Sequence, residues 1–135
     1  MLFLKTFVLC LIGLGVADAV WLGVMSSRLY APMMGALLRP DPVWLPGLCF
    51  YLVFAIGLSQ LVVMPALMAN RAKSQNSPLV LNAALFGLAA YGTYDLSAWA
   101  VIKNWPWLLS LIDIGWGVFV SVVTAALAYF LLKQK

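Results

Sequence analysis

Histidine and glutamate are both absent from this chain of 135 residues, and only two cysteines, Cys10 and Cys49, are present. Typical zinc centres and haem sites use histidine or clustered thiolates, so we expect no cofactor and no metal. A catalytic cysteine would also need a base, which histidine usually supplies. The predicted topology puts Cys10 near one face of the membrane and Cys49 near the other, too far apart for a disulfide, so we expect two free thiols acting as small hydrophobic side chains.

Charged residues are scarce as well, at 9% of the chain against 65% hydrophobic residues. A soluble domain usually carries about 25% charged residues, and one this small could not bury so much apolar surface. The composition therefore indicates a membrane protein. The net charge of +4 comes from Lys and Arg beside the apolar segments. That position is typical of topology signals and contacts with anionic lipids, so we expect membrane lipids rather than nucleic acid as partners.

Four apolar segments can be recognised in the chain, and each exceeds the ~20 residues that cross a hydrocarbon core. Only helices satisfy the backbone of an open segment in lipid. The sequence therefore predicts an all-α, four-helix transmembrane bundle in one domain over residues 1–135. The predicted spans cover residues 4–25, 44–69, 78–102 and 107–132.

The connections differ in length and character. Residues 26–43 contain apolar side chains at helical spacing and end in Arg-Pro-Asp-Pro, which favours a short helix on the membrane surface. An irregular loop is the alternative. Residues 74–78 are polar and end in proline. Residues 104–107 form a tight reversal, in which we expect Trp105 and Trp107 at the level of the lipid head groups.

The first segment resembles a secretion signal, because Ala17-Asp18-Ala19 has the form of a cleavage site. Against this interpretation, the apolar run continues through Val24. Small residues at Gly15, Ala19 and Gly23 also form a ridge suited to helix packing. We expect a retained first helix.

Lysine and arginine predict the orientation. The N-terminus, the second connection and the C-terminus share one face, and the first and third connections share the other. The larger set of cations should lie in the cytoplasm, which places both termini there. The first face carries Lys5, Arg71, Lys73, Lys133 and Lys135, and the second carries Arg28, Arg39 and Lys103.

Three of the four acidic residues lie inside the apolar segments. Asp18 and Asp95 each lie seven residues before the end of a predicted span, and Asp113 lies six after the start of one. At 1.5 Å per residue, all three are ~10 Å below the non-cytoplasmic surface. Carboxyl groups in lipid usually face a wet cavity or a bundle interior. One shared pocket is predicted, and polar contacts between helices are the structural alternative.

Further side chains are candidates for the same pocket. Three buried carboxyl groups cannot all ionise cheaply, so at least one should hold a proton near neutral pH unless cations fold inward. Three carboxylates could also hold a hard cation such as Ca²⁺, although no metal is predicted. The fourth span carries a stripe of small and polar residues that should face other helices. The candidates for ligand or proton binding are Asp18, Asp95, Asp113, Trp21, Tyr91, Trp99, Trp116, Arg28 and Gln60. The stripe comprises Ser110, Asp113, Gly117, Ser121 and Thr124.

Three blocks of sequence together resemble a bacterial family of small predicted membrane proteins, catalogued as a domain of unknown function. They begin at Asp18-Ala-Val-Trp, Tyr91-Gly-Thr-Tyr-Asp and Asp113-Ile-Gly-Trp. The resemblance covers essentially the whole chain and implies a four-helix protein of the bacterial inner membrane. It implies no activity.

The residues favour a protein that binds or transports a small or amphiphilic ligand, with a protonatable pocket near the non-cytoplasmic face. Four helices are few for a transport path, so a homodimer is expected. A second hypothesis is a membrane-embedded enzyme that uses aspartates as acid and base on a lipid or isoprenoid. A third is an accessory or assembly subunit.

Overall fold

The structure, a computed structural model, describes residues 1–73 and 78–133, and this part of the chain is helical without any strand. The predicted polar break at residues 74–77 and the cation Lys135 lie outside the described residues. Four helices are long and apolar enough to cross a membrane, which confirms the predicted all-α membrane bundle. The first helix covers Leu2–Leu37, the second Trp44–Arg71, the third Leu79–Val101 and the fourth Trp107–Leu132.

The first helix is longer than the apolar pattern indicates. Its α-helical part, Leu2–Met25, continues through a π-helical turn at Ser26–Tyr30, an α-helical turn at Ala31–Met34 and a 3₁₀ turn at Gly35–Leu37. The residues expected to form a surface helix are therefore helical, but they extend the first helix without a break. The helix ends where Leu38 becomes extended, just before the two prolines at positions 40 and 42.

Proline also precedes the third and fourth helices. Pro78 and Pro106 are the residues before their first turns, where the missing N–H leaves no additional unsatisfied donor. Between these helices, Asn104 adopts a left-handed conformation (φ 62°), which asparagine tolerates better than most residues. The reversal is short, so the third and fourth helices pack as an antiparallel pair.

The helices bury small and polar side chains against one another, as expected where lipid provides no hydrophobic drive for association. The first helix packs on the second and fourth, and buries every fourth residue. A second π-helical turn, Ser59–Val63, contacts the other three membrane-spanning helices, and Ser59 donates a hydrogen bond to Thr6 Oγ1 at 2.9 Å. The buried series of the first helix is Thr6, Cys10, Leu14 and Asp18.

The polar stripe of the fourth helix faces the protein interior as predicted, since Ser110, Ser121 and Thr124 are all buried. The closest approach of two helices also involves this stripe. A Cβ atom on Gly87 would overlap the carbonyl oxygen of Gly117 and lie 2.6 Å from Ser121 Oγ. Glycine at position 87 therefore lets the third and fourth backbones touch.

The predicted packing ridge of the first helix is wrong. Apart from the backbone of the same helix, no atom of the described residues lies within 4 Å of a Cβ built on Gly15 or Gly23, and Ala19 is exposed. The close contact of this helix is made at Gly13 instead, where a Cβ would lie 3.1 Å from Thr124 Cγ2. Both cysteines are free, as expected, with Cys10 buried and Cys49 exposed.

Candidate functional site

All four helices contribute to a cavity of about 530 Å³. The first part of the second helix, Trp44–Leu58, packs on the first helix, while the turn Ser59–Val63 makes the closer backbone approach to the third. Aromatic side chains cross the wider gap that remains, with ring centroids 6.3 Å apart for Phe50 and Tyr91. The cavity lies in this part of the bundle. Its polar and aromatic lining comprises Asp18, Trp21, Tyr30, Phe50, Tyr91, Tyr94, Asp113 and Trp116.

Asp18 is the best satisfied carboxyl group of the cavity. Its side chain is 6% exposed and accepts two hydrogen bonds from different helices. Tyr51 Oη donates to one oxygen at 3.0 Å, and Trp116 Nε1 donates to the other at 2.8 Å. Donors of this kind stabilise an ionised carboxylate, and they also fix its position in the wall of the cavity.

Asp113 is held by a residue from the extension of the first helix. Tyr30 Oη donates a hydrogen bond to Asp113 Oδ1, and Trp21 Nε1 donates to Tyr30 Oη at 3.0 Å. Tyr30 follows Trp21 by nine residues, a rise of ~13.5 Å along a helix. The two meet because helical side chains lean toward the N-terminus, which brings the ring of Tyr30 back over the cavity.

The two hydrogen-bonded groups are joined by an aromatic stack. The rings of Trp21 and Trp116 are 10° from parallel, with centroids 4.3 Å apart. Trp21 belongs to the group around Asp113, and Trp116 donates to Asp18. These hydrogen bonds and the stack form a polar wall of the cavity, built from the first, second and fourth helices.

Asp95 lies beside this wall but does not line the cavity. Its side chain is 1% exposed, and neither carboxyl oxygen has a hydrogen-bond partner among residues 1–73 and 78–133. Only its backbone carbonyl is bonded, by Ser110 Oγ at 3.3 Å. Its carboxyl group is close enough to that of Asp113 for the two charges to interact. A buried carboxyl group without a donor is costly, and such groups usually have a functional reason.

Three predicted site residues lie elsewhere. Trp99 is 45% exposed and stacks on Trp107, with centroids 6.4 Å apart. Gln60 and Arg28 are exposed, and neither lines the cavity. Asp95 thus lies next to the cavity, and the predicted cation Arg28 and amide Gln60 do not reach it. The predicted residues that line the cavity are Asp18, Asp113, Trp21, Trp116 and Tyr91.

Tyr51 and Tyr30 were not among the predicted candidate residues. Tyr51 lies seven residues after Trp44 at the start of the second helix, the same depth as the acidic residues, so the depth argument applies to it. Tyr30 lies outside the predicted span, where it is close in sequence to the candidate Arg28. Trp105 was expected at the headgroup level but is buried, and its Nε1 donates to Ser110 Oγ at 2.8 Å.

A second cavity of about 840 Å³ adjoins the first. Both are lined by Asp18, Leu22, Gly47 and Phe50. The remainder of the second cavity is apolar apart from Tyr51, with side chains from residues 42–48. The combined space thus has the polar wall on one side, and apart from tyrosine hydroxyl groups the rest of its lining is mostly apolar. Among the described residues, no three acidic or thiol groups are grouped closely enough to hold a metal ion.

We expect Tyr30→Phe to loosen the polar wall. Asp113 loses its donor and Trp21 its acceptor, so the free energy of unfolding should fall by about 1–3 kcal/mol. The far-ultraviolet circular dichroism from the stacked Trp21 and Trp116 should also weaken. Tyr94→Phe is the matched control, since Tyr94 lines the cavity and is the donor in none of the described hydrogen bonds. Equal unfolding free energies and equal circular dichroism in Tyr30→Phe and Tyr94→Phe would contradict the role of Tyr30 in holding the polar wall.

A family profile described as "Predicted membrane protein (DUF2177)" matches residues 3–130. This range includes every residue of the two cavities. No curated protein and no solved structure matches the chain.

Proposed function

The chain belongs to the DUF2177 family of predicted membrane proteins, and we propose that it binds or transports a small amphiphilic ligand in the cavity between its four helices. The observation that carries this proposal is the division of the cavity into one polar wall and an apolar remainder. Ligand sites of this kind are mostly apolar, with few polar groups that orient the ligand.

The charge of the wall indicates which end of the ligand it meets. Asp18 and Asp113 line the cavity, and none of the described Lys and Arg residues lines either cavity. Carboxyl groups accept hydrogen bonds and attract positive charge. A head with an ammonium group, or with several hydrogen-bond donors, therefore fits the wall. The rings of Trp21 and Trp116 add an aromatic surface that attracts cations.

The apolar remainder fits the other end of the ligand. The second cavity continues from Asp18 along residues 42–48 of the second helix. A hydrocarbon chain could lie there while its head stays at Asp18. The ligand is therefore a single-chain cationic amphiphile or a molecule with the same division of polarity.

The orientation of the site follows from the cations. We propose that the protein lies in the bacterial inner membrane with both termini in the cytoplasm, because most Lys and Arg residues lie at that end. The cavity then opens near the non-cytoplasmic face. Cysteine labelling from each side of the membrane, at introduced positions 39 and 73, tests this orientation directly.

Dodecylamine is a suitable probe of the site. We expect it to bind the purified protein in lipid nanodiscs and to change the fluorescence of Trp21 and Trp116. Asp18→Asn should weaken binding by about 10- to 100-fold, the equivalent of one charge-assisted hydrogen bond. Asp41→Asn is the matched control, because Asp41 is an exposed acid in the first connection.

Comparison of head groups needs no variant. Dodecylamine should bind the unmodified protein more tightly than dodecanol, and dodecanol more tightly than dodecyl sulfate. Equal binding of the three probes, or identical affinities in the Asp18→Asn and Asp41→Asn variants, would show that the carboxyl wall does not select the ligand.

A membrane-embedded enzyme is the second candidate, and the pair Asp95 and Asp113 favours it. The two carboxyl groups interact but have unlike surroundings, since Tyr30 donates to the Asp113 carboxyl group and no described residue donates to the carboxyl oxygens of Asp95. Such pairs can divide into an acid and a base. A deletion strain should then have a changed lipid profile that the unmodified gene restores and the Asp95→Asn gene does not. An unchanged profile would remove this candidate.

A further inference from the structure

Two cations meet at the end of the bundle opposite the candidate site. Lys5 lies in the second turn of the first helix, and Arg71 is the last residue of the second. Because these helices are antiparallel neighbours, their charged ends come together. Both side chains line a small cavity of about 220 Å³, together with Met1, Leu2 and Leu132.

No acidic side chain neutralises these cations. Asp18, Asp95 and Asp113 belong to the far half of the bundle, and Asp41 lies in the connection between the first and second helices, also at the far end. Lys73, which follows Arg71 by two residues, is a further cation. Lys133 is turned toward its own helix, with Nζ 4.2 Å from the centroid of Phe130. The cavity at Lys5 and Arg71 therefore attracts an anion.

An apolar groove of about 340 Å³ continues from the cationic cavity. The two share Lys5 and Leu132, so the groove begins where the charged groups end. Leu4, Val8 and Leu9 form its floor along the first helix. Leu4 and Val8 are 62% and 39% exposed, which leaves them available to a hydrocarbon chain from the surrounding lipid.

We propose that this end of the bundle binds an anionic phospholipid, with its phosphate between Lys5 and Arg71 and one acyl chain in the groove over Val8. Basic pockets between transmembrane helices recognise lipid head groups in this way. Arg71 supplies a planar set of donors for phosphate oxygens, and Lys5 supplies a compact charge. The site shares no residue with the cavity at Asp18, so it does not depend on the proposed function.

The contribution of Lys5 and Arg71 is tested by measuring lipid binding to the full chain in detergent with native mass spectrometry. Phosphatidylglycerol should bind more tightly than phosphatidylcholine. Each cation near the membrane contributes roughly a fivefold increase in affinity, so the double variant Lys5→Gln with Arg71→Gln should bind phosphatidylglycerol about 30-fold more weakly. Lys103→Gln, which removes a cation from the opposite end, should change nothing.

The contribution of the acyl chain is tested by filling the apolar groove with a larger side chain. Val8→Trp should weaken phosphatidylglycerol binding at least fivefold, while Val16→Trp should not, since Val16 is an exposed residue of the same helix outside the groove. Inorganic phosphate should compete only weakly. Melting temperatures of the variants show whether each one is folded, and Lys5→Arg should retain binding in any case.

Three outcomes would overturn the proposal. One is equal affinity for the two lipids, and another is equal loss in the Lys103→Gln control. The third is full competition by inorganic phosphate with no effect of Val8→Trp, which would make the site a phosphate site without a lipid chain.

Discussion

Gly87→Ala is expected to lower the free energy of unfolding by about 3 kcal/mol or more, because overpacking against rigid backbone has no easy relief. The added methyl group would overlap the backbone carbonyl of Gly117 and approach Ser121 Oγ to 2.6 Å. The third and fourth helices would have to separate. That pair also holds Tyr91 and Asp113 at the cavity, so probe binding at the site should fall together with stability.

The matched control is Gly115→Ala on the fourth helix. No atom lies within 4 Å of a Cβ at this position, so the variant should unfold like the unmodified protein or slightly later, since alanine favours helix by about 1 kcal/mol over glycine. Thermal unfolding in detergent measures both variants. If Gly87→Ala and Gly115→Ala melted at one temperature, the third and fourth helices could not be in the described contact.

The same chemical change at two buried aspartates is expected to have opposite signs. Asp95→Asn should raise the free energy of unfolding by about 1–3 kcal/mol, because an acid without any described donor is replaced by a neutral amide of similar shape. Asp18→Asn should lower it by about 1–2 kcal/mol. There the two donors, Tyr51 and Trp116, lose one of their acceptor oxygens.

Detergent-induced unfolding of both variants at one pH gives the comparison, with Asp41→Asn as a surface reference near zero. Destabilisation by Asp95→Asn would mean that this carboxyl group has a partner essential to the fold. If the Asp95→Asn protein is more stable but does not restore the lipid profile of the deletion strain, Asp95 is a residue kept for function at the expense of stability.

The depth of the acids could be predicted from the sequence because helical rise is regular. Counting residues from the ends of apolar runs put Asp18, Asp95 and Asp113 at one level, and the structure has Asp18 and Asp113 in one cavity with Asp95 next to it. The face of the helix on which each side chain lies was less predictable. Four residues turn a helix by about 40° beyond a full circle. After Asp95 the buried position is therefore Ala98, and Trp99 faces outward.

Gln60 shows the same limit of a prediction made from residue type alone. A polar side chain in the middle of a membrane span was expected to face inward, but its neighbour Ser59 occupies the interior and bonds Thr6. Adjacent helical residues point about 100° apart, so Gln60 is exposed. Tyr30 was not among the candidates, because its role depends on a helix that continues beyond its apolar run.

The length of the first helix has a mechanical consequence. Its 36 residues correspond to ~54 Å, whereas the hydrocarbon core of a bilayer is ~30 Å thick. The excess can extend into the headgroup layer, or it can be taken up by inclination of the helix or by a bend near its π-helical turn. Tyr30 lies in that turn and donates to Asp113. We therefore expect a change in bilayer thickness to move Tyr30 relative to the cavity.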